Sequence, residues 1–104
     1  MVVFDVSKFL KIYFHIFYGI FDSNLENFYS LESLNFYTKF MVDQGLLQTS
    51  DVGDNVLYIT ALGNKFGREL FEYDVAESLL SSPDAFSIYS AIERTRESLP
   101  ETSY

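Results

Sequence analysis

The stretch Leu46 to Leu70, LLQTSDVGDNVLYITALGNKFGREL, constrains the fold more than any other part of the chain. It reads as a β-hairpin that runs directly into a helix. Asp51-Val52-Gly53-Asp54-Asn55 concentrates residues that tolerate left-handed backbone or form side-chain turns, and Val56-Leu57-Tyr58-Ile59 after it is β-branched and aromatic. Thr60 has the side chain to cap a helix beginning at Ala61, its hydroxyl accepting from a first-turn N–H that has no helical partner. The second strand therefore ends where a helix starts.

Ahead of the hairpin, Val6 to Phe21 reads as a first helix. Val6, Phe9, Leu10, Tyr13, Phe14 and Phe17 recur at spacings of three and four, and Ile12, Ile16 and Ile20 widen the stripe until little polar face remains. Ile12 to Phe17 is also β-prone, so a strand competes there; the helical spacing favours the helix. A chain of 104 residues makes one domain and can hardly surround such a helix alone. Part of its surface is therefore expected to meet a second copy, with Phe9, Ile12, Tyr13 and Ile16 as homodimer contacts beside Phe86 and Tyr89 near the C-terminus. His15, the single histidine, has no partner motif and reads as structural or interfacial. Gly19 marks the helix end or a close packing point.

Asp22 to Ser30 reads as a break and a short second helix, with Asp22, Ser23 and Asn24 as capping types and Leu25 with Phe28 or Tyr29 facing inward. Ser30 or Leu31 opens a third helix through Gln44, buried along Leu34, Tyr37 and Phe40 or Met41. Gly45 is placed as its left-handed terminator, and Leu46 can fold back onto Met41. Beyond the hairpin, one long helix is expected from Ala61 to about Leu80, with a stripe of Leu62, Phe66, Leu70, Tyr73, Ala76 and Leu80 and a second edge of Phe71 and Leu79. Gly63 and Gly67 each cost up to about 1 kcal/mol there relative to Ala, which suggests close packing against the hairpin or the first helix. Ser82 reads as the cap of a last helix, Asp84 to Leu99, with Pro83 in its first position and Pro100 stopping it. Ile88, Ile92 and Leu99 face inward. The fold class is thus mainly α with a small β-hairpin, an α+β arrangement.

Helix, short helix, helix ending in Gly-Leu-Leu, hairpin, helix: this order resembles the winged helix-turn-helix proteins, loosely the MarR and PadR groups of small prokaryotic and viral regulators. The resemblance is carried by YTKFMVDQGLL, Tyr37 to Leu47, and LYITALGNKFGREL, Leu57 to Leu70. Family members commonly end the third helix in Gly-Leu, here Gly45-Leu46. Their wing commonly reads Tyr-x-Leu/Ile-Thr-x-x-Gly, here Tyr58, Ile59, Thr60 and Gly63. The similarity spans roughly residues 5 to 80, with an added C-terminal helix that in the family often serves dimerisation. It implies DNA binding through the third helix and the wing.

The residues at those positions are Asn35, Thr38, Lys39 and Asp43 on the helix and Asp51, Asp54 and Asn55 on the wing. Off its buried stripe the helix carries Glu32, Ser33, Asn35, Thr38, Lys39, Asp43 and Gln44, one cation against two anions and no arginine to read guanine. The wing offers carboxylates where a DNA-contacting wing usually places Lys or Arg. The whole chain carries a net charge of −8, which disfavours non-specific phosphate binding. Arg94 and Arg96, interleaved with Glu93 and Glu97, read as a solvated face rather than a nucleic-acid patch.

No catalytic constellation is present. One histidine supports no Ser-His-Asp arrangement, and Gly63-Asn64-Lys65-Phe66-Gly67 lacks the ending of a phosphate loop. The Asp51 to Asn55 turn lacks the alternating oxygen ligands of a calcium loop. With no cysteine, disulfides and thiolate metal sites are excluded, and no cofactor, metal or small-molecule substrate is expected. The N-terminus has no basic segment ahead of an apolar core, and the apolar run Phe9 to Phe21 falls short of the roughly 20 residues that span a bilayer. A cytoplasmic location is expected. The sequence points to a non-enzymatic, dimeric winged-helix protein acting in transcription regulation with few or atypical DNA contacts. The alternative is an acidic adaptor or inhibitor, in the manner of viral or mobile-element nucleic-acid mimics, that uses the same surface to bind a basic protein.

Overall fold

A computed structural model describes residues 3–19, 29–49, 57–81 and 84–99. In chain order these form α1 (Val6–Phe17), α2 (Leu31–Asp43), β1 (Leu47–Thr49), β2 (Leu57–Ile59), α3 (Ala61–Phe71), α4 (Val75–Leu80) and α5 (Ala85–Glu97). The protein is mainly helical with one two-stranded antiparallel hairpin, the α+β class expected. No helix among the described residues is long and apolar enough to cross a membrane.

Helix α1 starts at Asp5, whose carboxylate accepts from the Lys8 N–H at 3.1 Å. It ends earlier than the sequence suggested. Gly19 takes φ +69° and donates to the Ile16 carbonyl at 3.2 Å, closing the helix at Phe17. Ile20, Phe21 and most of the expected short helix from Asp22 lie outside the described residues. The stripe of α1 is covered by α2, α3 and α4. Phe9, Ile12 and Tyr13 are each 0% exposed, so these three belong to the chain's own core and not to a surface between copies. The correction has a simple cause. Helical periodicity shows that a face is apolar, and three short helices from the same chain suffice to cover it.

Helix α2 opens at Ser30, whose hydroxyl accepts from the Ser33 N–H at 3.1 Å. It closes in a Schellman motif: Gly45, at φ +81°, donates to the Val42 carbonyl at 3.0 Å, and Leu46 donates to that of Met41 at 2.9 Å. Leu46 and Met41 are both fully buried, as the fold-back required. The turn delivers the chain into β1, which pairs with β2 in the register Leu47 with Ile59, Gln48 with Tyr58 and Thr49 with Leu57. The hairpin tip, with Asp51, Asp54 and Asn55, lies outside the described residues.

Thr60 fastens the hairpin to the helices on either side. Its Oγ1 accepts from the Gly63 N–H at 3.0 Å, capping α3, and donates to the Gly45 carbonyl at 2.5 Å. Its own N–H donates to the Leu46 carbonyl at 3.1 Å. Both glycines of α3 are close-packing points. A Cβ on Gly63 would collide with the Leu46 carbonyl and the Ile59 side chain, and one on Gly67 with the Phe17 ring. Hairpin and first helix can approach α3 only where no side chain intervenes.

The single long helix expected from Ala61 to Leu80 is two helices. Asp74 adopts φ +61°, a left-handed conformation that Asp tolerates better than most residues, and it separates α3 from α4. The break resets the helical phase. Tyr73 and Leu80 are consequently exposed, at 66% and 49%, while Leu79 is buried. Asp84 is the cap of α5, accepting from the Ser87 N–H at 2.9 Å, and the helix starts at Ala85. The sequence had assigned that cap to Ser82, but an Asp one position before the helix supplies a stronger, charged acceptor. Ile88 and Ile92 face the core as expected, joined by Ala91 and Thr95.

Candidate functional site

The outward face of α2 and the adjoining hairpin form the surface to which the sequence pointed. Burial of Leu34, Tyr37 and Met41 fixes the orientation of α2, and Glu32, Asn35, Lys39 and Asp43 then lie on its exposed side. Tyr37 anchors this orientation. Its hydroxyl accepts from the Asp5 N–H at 2.8 Å, tying the N-terminal arm to the helix, and burial raises its pKa.

The structure brings Asn35, Lys39 and Asp43 onto successive turns. Thr38 stands at the edge of the ridge, half-buried, with its hydroxyl donating to the Leu34 carbonyl of its own helix at 2.9 Å. Lys39 Nζ lies 3.0 Å from a carboxylate oxygen of Asp43, with side chains 77% and 56% exposed. Such a pair stabilises little, about 0.3 to 0.5 kcal/mol, but it neutralises the one cation of the ridge. Glu32 then leaves the face slightly negative.

At the C-terminal end of α2, Arg96 Nη2 donates to the Gln44 carbonyl at 2.6 Å while Nη1 lies 3.2 Å from Glu93. The last helix is thereby attached to the turn between α2 and β1. Sequence reading placed Arg96 on a solvated face, because a contact across 52 residues leaves no local trace. The second unforeseen feature is β2, where Leu57, Tyr58 and Ile59 are exposed at 38%, 51% and 39%. Alternation predicts one buried face for a strand, and here neither side is fully covered.

Of the remaining candidate interface residues, Ile16 is half-buried. Phe86 is 76% exposed and points away from the core, while Tyr89 is 42% exposed with its ring 5.4 Å from that of Phe40 on α2. His15 is half-buried beside Phe14, with ring centroids 6.0 Å apart. Among the described residues no group of three His, Cys, Asp or Glu side chains could hold a metal ion.

Two shallow grooves flank α4. One, of about 230 Å³, lies against α1 between Leu10, Phe14, Phe71 and Leu80, with Lys11 at its rim. The other, of about 240 Å³, lies against α5 among Ser78, Phe86, Ser90 and Arg94. Both are smaller than the roughly 300 to 1,000 Å³ of ordinary small-molecule sites. Comparison of the chain with protein-family models, with curated proteins and with solved structures gives no match.

Proposed function

We propose that the chain is a non-enzymatic regulatory domain of winged-helix type that acts through the α2 ridge and the hairpin, and that its partner is a protein with a basic surface. The order of α1, α2, hairpin and α3 supports the winged-helix reading, as do the Gly45-Leu46 terminator and the Thr60 cap. The observation that carries the choice of partner is the Lys39–Asp43 pair. A helix whose one cation is paired with a neighbouring carboxylate offers a phosphate no net positive charge, whereas a face of net negative charge suits a basic protein. Its absence of cysteine suits a cytoplasmic setting.

A DNA-contacting transcription regulator is the second reading. It is favoured by Asn35, which is exposed one turn from Lys39 on the helix that leads into the hairpin; asparagine can pair with adenine in a major groove. In either case a homodimer would use Phe86 and Tyr89, the candidate contacts left on the surface.

Fluorescence anisotropy with random duplex DNA and with a lysine-rich protein, both at low salt, separates the two. Binding to the basic protein and none to DNA is the expected result. DNA binding that weakens in Asn35→Ala and Lys39→Ala would transfer the proposal to the second reading.

A further inference from the structure

Helix α1, VSKFLKIYFHIF, carries no acidic residue in a chain of net charge −8. Its two lysines, Lys8 and Lys11, lie one turn apart, and both are exposed. Neither ammonium enters an ion pair or a hydrogen bond among the described residues, whereas Lys39, Arg68 and Arg96 are each paired with a carboxylate. Lys11 stands at the rim of the groove between α1 and α4, which is lined by the apolar side chains of Leu10, Phe14, Phe71 and Leu80. Phe14 is 40% and Leu80 49% exposed, so the groove is open to solvent on both walls. No carboxylate lines it. Of the acids on the neighbouring elements, Asp5 is engaged as the cap of α1 and Glu72 is paired with Arg68, while Asp74 and Glu77 are exposed outside the groove lining.

We infer that this groove receives an amphipathic helix of a partner protein, with its apolar stripe on Leu10, Phe14, Phe71 and Leu80 and an acidic flank along Lys8 and Lys11. Two observations select that occupant. The walls are helices packed side by side, and a helix laid between them presents a side chain to the gap every three or four residues. The unpaired ammoniums stand along the α1 wall alone, so carboxylates on the matching edge of the docked helix complete them. The negative charge of the rest of the chain does not reverse this preference, because exposed charges farther than about 8 Å are largely screened at physiological salt. A volume of about 230 Å³ suits a few inserted side chains rather than a small molecule enclosed whole. The groove shares no residue with the α2 ridge, so the inference goes beyond the proposed function and neither reading depends on the other.

Fluorescence anisotropy and amide NMR with a labelled helical peptide of about four turns test this, the peptide carrying a leucine stripe flanked on one edge by glutamate. Binding should shift the signals of Leu10, Phe14 and Leu80 and leave those of Asn35 and Lys39 in place. In the double variant Lys8→Glu with Lys11→Glu, affinity for the glutamate peptide should fall about tenfold or more, because two attractions become repulsions at exposed positions that leave the core untouched. A peptide with lysine in place of glutamate should shift the groove signals of that variant and not those of the parent chain. Leu80→Glu should weaken the glutamate peptide by a similar factor with little change in melting temperature, since the side chain is already half in solvent. No binding of the glutamate peptide, equal groove shifts from the two peptides, or shifts confined to other surfaces overturns the inference. So do nuclear Overhauser contacts between the groove and residues 20–28 in the free chain, which would assign the groove to the chain's own segment. Groove shifts that grow with protein concentration would assign it to a second copy and overturn the inference too. Failure on any of these counts leaves the α2 ridge reading to be decided separately, by the lysine-rich protein and duplex DNA.

Discussion

The Tyr13 hydroxyl donates to the Gly63 carbonyl at 2.5 Å, joining the middle of α1 to the first turn of α3 across 50 residues of sequence. Both ends are buried. Tyr13→Phe should cost about 1 kcal/mol in urea denaturation, the ordinary net value of one hydrogen bond, because the Gly63 carbonyl keeps its helical partner.

The burial of Tyr13 makes stability depend on alkaline pH. Burial holds the Tyr13 pKa well above the ordinary 10.0 of tyrosine, so the folded state keeps a proton that the unfolded chain releases. The contribution is complete below pH 10 and is lost progressively as pH rises above it. Tyr13→Phe should therefore flatten the decline of stability above pH 10, measured as the urea midpoint against pH. An unchanged slope would show that Tyr13 does not supply the linkage.

Gly63 and Gly67 should respond differently to alanine. Alanine adds helix propensity worth up to about 1 kcal/mol at either site. At Gly63 the new methyl meets backbone, the Leu46 carbonyl, which is fixed by the hairpin junction; at Gly67 it meets the half-buried Phe17 ring near the end of α1. Gly63→Ala should lose about 2 to 3 kcal/mol and Gly67→Ala less, since the end of α1 can shift. Equal losses in a denaturant series would contradict this ranking.

Asp74 offers a stabilising change. A left-handed residue with a Cβ costs about 1 to 2 kcal/mol, partly relieved for Asp. Asp74→Gly should raise stability by about 0.5 to 1 kcal/mol, and Asp74→Val should lower it by about 1 to 2 kcal/mol. Thermal denaturation followed by circular dichroism distinguishes the two directions.

Arg96 tests whether α5 is fastened to the turn after α2. Its side chain is 45% exposed, so the charge–carbonyl contact is screened. Arg96→Ala should cost about 0.5 to 1 kcal/mol at low salt, and less at high salt. Faster amide exchange at Gly45 and Leu46 should accompany it, whereas an effect confined to α5 would limit the role of Arg96 to its own helix.

The amino-acid sequence by itself determined the local punctuation of this protein. Ser30, Gly45 and Thr60 start and stop elements as their chemistry requires, because a cap or a left-handed terminator is satisfied by backbone groups within a few positions. The hairpin strands and the inward faces of α2 and α5 were legible for the same reason. Only tertiary structure decided what covers each face. Phe9, Ile12 and Tyr13 look like interface in a sequence because periodicity reports an apolar surface and not its neighbour, and in the fold α2, α3 and α4 bury them. The break at Asp74 was hidden since Asp is tolerated in helices, and it was decided by packing that buries Leu79 and leaves Tyr73 and Leu80 in solvent. The candidate site divides in the same way. Asn35, Lys39 and Asp43 share a ridge by helical geometry alone, but the exposure of Leu57, Tyr58 and Ile59 on β2 follows from how the hairpin packs on α3 and not from alternation along the strand.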